Sequence, residues 1–155
     1  MTLELGRVTD RNPPFKYSAL ARVGFSDTDA QGIVYYGRYM PFFDVARVEY
    51  TRHLGLLFHT FDDRQFAMRA AAVEYHAPAR FDDLLEVFVR TKRIGRTSVT
   101  TAFAAHRLDD DMLMCVAEQT LVLVDLAGRR PAAIPESFRL PVREFEGADL
   151  EEASP

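Results

Sequence analysis

A single cysteine, Cys115, stands in 155 residues. No internal disulfide can form, and the thiol, set in an apolar run, reads as a small buried hydrophobe. No run approaches the roughly 20 apolar residues that a membrane-spanning helix needs. The N-terminal MTLELGRVTDRNPP has neither a long apolar core nor a basic lead-in, so it does not read as a signal peptide. Basic excess is missing as well. The formal net charge is −4 and the pI about 5.6, which argues against nucleic acid as the partner. There is no internal repeat and no low-complexity segment. These absences give a cytoplasmic, reducing compartment as the expected location.

With 48% hydrophobic and 27% charged residues, the composition is that of one ordinary globular domain. Residues 1–14 read as a flexible arm ending in Pro13 and Pro14, residues 15–143 as the domain, and residues 144–155 as an acidic disordered tail. Tyr17, Ala19, Ala21, Val23 and Phe25 alternate with polar neighbours, which predicts a half-buried strand. Tyr39, Phe42, Phe43, Ala46, Tyr50 and Leu54 recur at helical spacing, which predicts a largely enclosed helix over 38–54. Pro41 confines its start to the neighbourhood of Gly37, and Gly55 ends it. His59 to Arg64 reads as a loop. Long strands follow over 65–77, 83–94, 97–108 and 112–125, with turns at Gly95 and at Asp109 to Asp111. Leu121 to Val124 is apolar on both faces, as in a strand covered from both sides. The pattern is α+β: one long helix packed in the concave face of a curved antiparallel sheet of about five strands.

Between first strand and helix lies SDTDAQGIVYYGRYMPFFD, residues 26–44. Asp27, Asp29, Gln31 and Gly32 begin like a calcium loop, but the twelfth residue, Arg38, is a cation where such a loop needs a bidentate Glu. Both acids lie too early for a simple helix cap. Asp27 reads as serving the turn itself. Asp29 has a chemical reading. Free N–H groups at a helix start can hold a carbonyl oxygen that becomes negative in a transition state. Gly32 admits close backbone approach, and a carboxylate opposite could attack the carbonyl carbon or activate water. That would hydrolyse an activated acyl group with no metal or other cofactor.

Phe25-x-Asp27-x-Asp29-x-x-Gly32-Ile33-Val34-Tyr35-Tyr36-x-x-Tyr39 resembles the N-terminal motif of the 4-hydroxybenzoyl-CoA thioesterase family of hotdog-fold acyl-CoA thioesterases. Softer matches are Val73 to Asp83, Arg93 to Ser98, and Val124-Asp125 with Gly128 to Pro131 and Ile134-Pro135. The resemblance covers roughly residues 16–140. It implies a hotdog fold, a homodimer joined sheet edge to sheet edge and often paired into a homotetramer, and an acyl-CoA or acyl-carrier-protein substrate. Asp29 matches the catalytic carboxylate, and Tyr36 the position whose backbone N–H faces the thioester carbonyl. In the branch associated with the Tol-Pal system that position is often His, so an imidazole mechanism is not expected here. Glu49 is the only helix acid that could stand in for a second branch's catalytic Glu, and it lacks that branch's Asn-x-x-Gly-Gly lead-in.

Coenzyme A phosphates favour cationic side chains. Lys92, Arg93 and Arg96 on the central hairpin are the candidates, with Arg129 and Arg130 weaker, and Thr97 and Ser98 could bond the pantetheine. Tyr35, Tyr39, Met40 and Phe43 are candidates to line an acyl pocket, although an aromatic stripe at helical spacing is core by default. Two rival functions are a non-catalytic acyl-CoA-binding hotdog protein and a hotdog dehydratase. The first would have lost the acid. The second needs a catalytic His, and His53, His59, His76 and His106 show no such motif.

Overall fold

The structure, a computed structural model, describes residues 4–58 and 61–153; His59 lies outside the described residues. Strand β1 (Gly6–Val8) pairs with β2 (Tyr17–Arg22). Then come α1 (Tyr39–His53), the long strands β3 (Arg64–Tyr75), β4 (Leu84–Ile94), β5 (Ser98–Arg107) and β6 (Met112–Asp125), the short β7 (Arg130–Pro131), α2 (Glu136–Glu146) and the short β8 (Glu151–Glu152). The sheet order is β1-β2-β4-β5-β6-β3, with β7 on β6 and β8 parallel to β4.

The helix and the long strands fall where periodicity placed them. On α1, Phe43 and Ala46 are fully buried and Tyr50 nearly so, packed against Val87, Val89, Phe103 and Ala117 on the inner face of the sheet. Burying one such Phe contributes about 1.5–3 kcal/mol. Pro41 sits in the first turn, where its missing N–H costs little. At the far edge, β3 pairs with β6 alone and is mostly exposed.

Four expectations need correction. Phe25 does not continue the first strand's buried face. The chain turns into a 3-10 turn at Phe25–Asp27, and Phe25 is 82% exposed. The sheet has eight strands, not about five, because three short segments, β1, β7 and β8, join it. The helix α2 has no counterpart in the periodicity; Pro141 interrupts its pattern, yet Phe138 and Val142 bury it against Ile94, Val99 and Leu123. That also explains the apolar run at Leu121 to Val124, where Leu123 is fully buried in this second cluster.

The fourth correction concerns the ends. The tail is built, not disordered, over its described residues. The Ala153 N–H donates to Ile94 O, and Glu152 meets Arg139 and Arg143, while Asp149 meets Lys16. Acidity suggested a solvated tail; its cations lie elsewhere in the chain. The N-terminal arm is likewise fixed over its described residues. Arg7 and Arg11 both reach Glu86, a fully buried carboxylate on β4, which also accepts the Ser18 hydroxyl at 2.7 Å.

Candidate active site

Residues 28–34 form a small hairpin closed by a Thr28–Val34 bridge, and Ile33 bridges to Arg80. At its tip the Gly32 N–H donates to Asp29 O at 3.0 Å. Gly32 has φ +78, a left-handed conformation that other residues adopt at a cost. A Cβ there would meet nothing within 4 Å. The glycine is therefore needed for its backbone angle, and no neighbouring residue fills the space beside it.

The two acids divide as the turn requires. Asp27 is 9% exposed. Its Oδ2 accepts the Gly24 N–H at 2.7 Å, and its Oδ1 accepts Arg38 Nε and Nη2 at 3.0 and 2.9 Å. Its carbonyl takes the Tyr35 N–H at 2.9 Å. Asp27 thus ties the turn to the start of the helix, and the turn reading of this residue holds. Asp29 is half-buried. Its Oδ1 accepts the Gln31 N–H at 2.8 Å, and Oδ2 has no hydrogen-bond partner among the described residues. One carboxylate oxygen is fixed and the other is free.

Asp29 lines a cavity of about 310 Å³ with Ile33, Tyr36, Tyr39, Tyr75 and His76. The 3-10 turn Tyr36–Arg38 runs directly into α1. The N–H of Tyr35 goes to Asp27 and that of Arg38 to Tyr35, while the Tyr36 N–H has no acceptor among the described residues. It is one of the donors a helix start leaves free, and the helix dipole adds positive potential there. The residue that carries the carboxylate and the residue that carries a free backbone donor at a helix start therefore line one cavity.

Tyr39 and Tyr75 shape the wall. Tyr39 is 3% exposed, and burial pushes its phenol up to about 12. Tyr75 donates to Tyr36 O at 3.0 Å, steadying the turn from the end of β3. Burial, then Cys115 and Tyr36, raise its phenol too. Tyr75 and His76 are lining residues that residue-type reasoning missed. The only signal for them was the soft match over Val73 to Asp83.

Other expected site residues lie elsewhere. Tyr35 is outside the cavity wall; its ring sits 4.3 Å from that of Tyr36. A hydrogen bond with Tyr36 is the main cause that raises the Tyr35 phenol. Met40 meets the Gln119 amide and Phe43 is core. Lys92, Arg93, Arg96, Thr97 and Ser98 sit at the end of β4 and start of β5, whereas Asp29 sits beside the segment that enters β4. Nine residues of strand, about 30 Å, separate the two ends, so one chain does not bring them together. Lys92 is paired with Glu118, and Arg129 and Arg130 are exposed beside the β6–β7 turn. Glu49 is paired with Arg52. His53 packs on Tyr17 and Phe145, and His106 on Phe88.

A family profile described as the thioesterase-like superfamily matches residues 23–142, which takes in the Asp29 hairpin, α1 and every long strand. The chain belongs to the thioesterase-like superfamily. Within the superfamily it is 35% identical over 133 residues to an acyl-CoA thioester hydrolase YbgC of Escherichia coli O6:H1, covering 81% of this chain and 92% of the relative. It is 32% identical over 126 residues to the acyl-CoA thioesterase YbgC of Haemophilus influenzae, covering 79% and 91%. Among solved structures, a 1,4-dihydroxy-2-naphthoyl-CoA thioesterase from Synechocystis superposes with a TM-score of 0.75 over 83% of this chain and 96% of that one, at 18% identity. That likeness shows the hotdog fold.

Proposed function

We propose that this protein is an acyl-CoA thioesterase in which Asp29 does the chemistry and the start of α1 polarises the thioester carbonyl. The observation that carries the reading is the shared cavity. Asp29, with one free carboxylate oxygen, and Tyr36, with a free backbone N–H, are both lining residues, and the relatives named above hydrolyse acyl-CoA thioesters by name. Water adds to the acyl carbon, the C–S bond breaks, and the thiol leaves with a proton. Asp29 serves either as nucleophile, through a mixed anhydride, or as the base that takes the water proton. Gly32 holds the turn that presents Asp29, and Tyr39 packs the wall behind it.

The test is thiol release from a panel of acyl-CoAs, with Asp29→Asn alongside. The variant is expected to lose at least about a hundredfold in kcat/KM, within the usual range for a positioned acid–base group, while melting at the wild-type temperature. Binding of acyl-CoA without release by the wild type would turn the reading toward a non-catalytic binding role.

The same reading includes a homodimer. Strand β3 is 12 residues long, has β6 on one side only, and exposes Met68 and Ala70 to Ala72. A free edge of that length invites pairing, and a two-fold axis would satisfy both copies. Pairing of dimers into a tetramer, and a cytoplasmic location, belong to this proposal. Among the described residues no helix is long and apolar enough to cross a membrane.

A further inference from the structure

A second cavity, of about 240 Å³, lies between the C-terminal half of α1, the inner face of β4 to β6, and α2. Val48, Leu121 and Phe138 give it apolar walls, and Tyr50, Thr91 and Thr101 a polar floor. It shares no residue with the Asp29 cavity. Within the floor, Tyr50 donates its hydroxyl hydrogen to Glu146 Oε2 at 2.7 Å and so accepts from Thr91 Oγ1 at 2.9 Å. Thr101 is different. It is 4% exposed, lines the cavity, and has no side-chain hydrogen-bond partner among the described residues. The buried side-chain oxygen left without a partner among the described residues is Glu146 Oε1, not that of Thr101; the Thr101 hydroxyl is open to the cavity, and pockets of this kind use a few placed polar groups to orient an otherwise apolar ligand.

The sheet connects the two cavities. Tyr75, Val73 and Ala71 face inward on β3, in register with Cys115, Ala117 and Gln119, and Gln119 is in register with Thr101. Ala71 is exposed and Met68, which pairs with Leu121, is 44% exposed. The inner face of β3 is therefore left uncovered beside α1, where Met40 and Arg47 border Gln119. From Tyr75 to Ala71 this strip runs about 13 Å. Along the helix, Tyr39 to Arg47 spans about 12 Å. An extended covalent chain advances about 1.2 Å per bond, so an acetyl or benzoyl group stops short, and a chain of about ten carbons arrives.

We propose that this second cavity receives the far end of a long acyl chain whose thioester lies at Asp29, and that Thr101 hydrogen-bonds a hydroxyl or keto oxygen carried near that end. The proposal rests on the hydrolytic reading of Asp29 and adds the substrate class: long acyl thioesters with a distal oxygen.

The experiment compares butanoyl-CoA, dodecanoyl-CoA and ω-hydroxydodecanoyl-CoA as substrates for the wild type, Thr101→Val and Leu121→Trp. In parallel, calorimetry measures binding of the matching S-alkyl-CoA thioethers, which cannot be hydrolysed. The wild type is expected to prefer the hydroxylated chain over dodecanoyl by about tenfold, the worth of one hydrogen bond. Thr101→Val should abolish that preference. Leu121→Trp, which fills the cavity, should cut the ratio of long-chain to butanoyl kcat/KM by about tenfold or more. A wild type indifferent to chain length, or a Leu121→Trp variant with an unchanged ratio, overturns the cavity assignment and leaves Asp29 hydrolysis standing. A preference that survives Thr101→Val means that Thr101 holds only water and overturns the distal-oxygen assignment. Thioether affinities that follow the expected pattern without any turnover support the cavity and sink the hydrolytic reading instead.

Discussion

Removing Arg7 and Arg11 together (Arg7→Ala with Arg11→Ala) tests how the N-terminal arm is held. Glu86 is fully buried, accepts the Ser18 hydroxyl, and takes one guanidinium from each arginine. Burial by itself would raise the Glu86 carboxyl; the Ser18 and Arg7 hydrogen bonds and the Arg11 and Arg7 charges outweigh it and hold the group below the ordinary carboxylate range. Breaking a fully buried pair costs about 3–5 kcal/mol. The arginine side chains here are 54% and 39% exposed, and a released arm would let water reach Glu86, so screening cuts the loss. The working figure is about 1–2 kcal/mol at pH 7 for the double variant. A folded-state pKa below the unfolded value stabilises the protein above the unfolded pKa, near 4.3, and that share is lost as pH falls through the folded value. Urea melts at fixed protein concentration, at pH 7 and again near pH 3, measure it. The gap between wild type and variant should be present at pH 7 and shrink sharply at the lower pH. A gap of equal size at both pH values would refute the ionic account and leave only packing by the arm.

Asp27→Ala should cost about 1–2 kcal/mol in a thermal or urea melt, because it frees a half-buried Gly24 N–H and unpins Arg38, and turnover should fall with it; Asp29→Asn should lower turnover alone. Gly32→Ala should destabilise by about 1 kcal/mol from the φ of +78, since its methyl enters open space; a larger loss would show crowding. Cys115 is fully buried, and burial pushes its thiol up to about 12, so a thiol reagent at pH 8 should label it only at the rate of unfolding. Ala70→Pro tests the proposed homodimer: sedimentation should give monomers where the wild type gives dimers, because proline blocks strand pairing at the β3 edge.

Legibility followed the range of the forces involved. Local periodicity marked α1 and the four long strands because their inner faces meet one core, as Phe43 and Phe103 do at 4.9 Å. It misled at Phe25, where alternation ran on past the point at which the Val23 and Asp82 carbonyl and amide meet and turn the chain. It missed α2, whose burial depends on Leu123 and Ile94 far away in sequence. The acidic tail looked solvated because its acids pair with cations outside it, Arg139, Arg143 and Lys16. At the site, Asp29, Gly32 and Tyr36 sit in one short stretch and were readable together. Tyr75 and His76 reach the same cavity only through the pairing of β3 with β6, which no local pattern encodes.

Both ends of the chain fasten onto one strand. The arm's arginines close on Glu86, and Glu151 and Glu152 pair with Arg93 and Ile94 a few residues further along β4. During synthesis β4 emerges midway, with its inner neighbours β2 and β5 soon beside it, but its partner β8 emerges some 57 residues after the end of β4. Completion of β4 therefore waits on a segment far along the chain, and the fold's contacts are dominated by residues distant in sequence, which slows folding. A nascent chain stalled before Glu151 would carry a β4 lacking its β8 partner, with the free edge of β3 already formed. Chaperone demand should therefore peak in the interval between the exit of β6 and the arrival of the C-terminal residues.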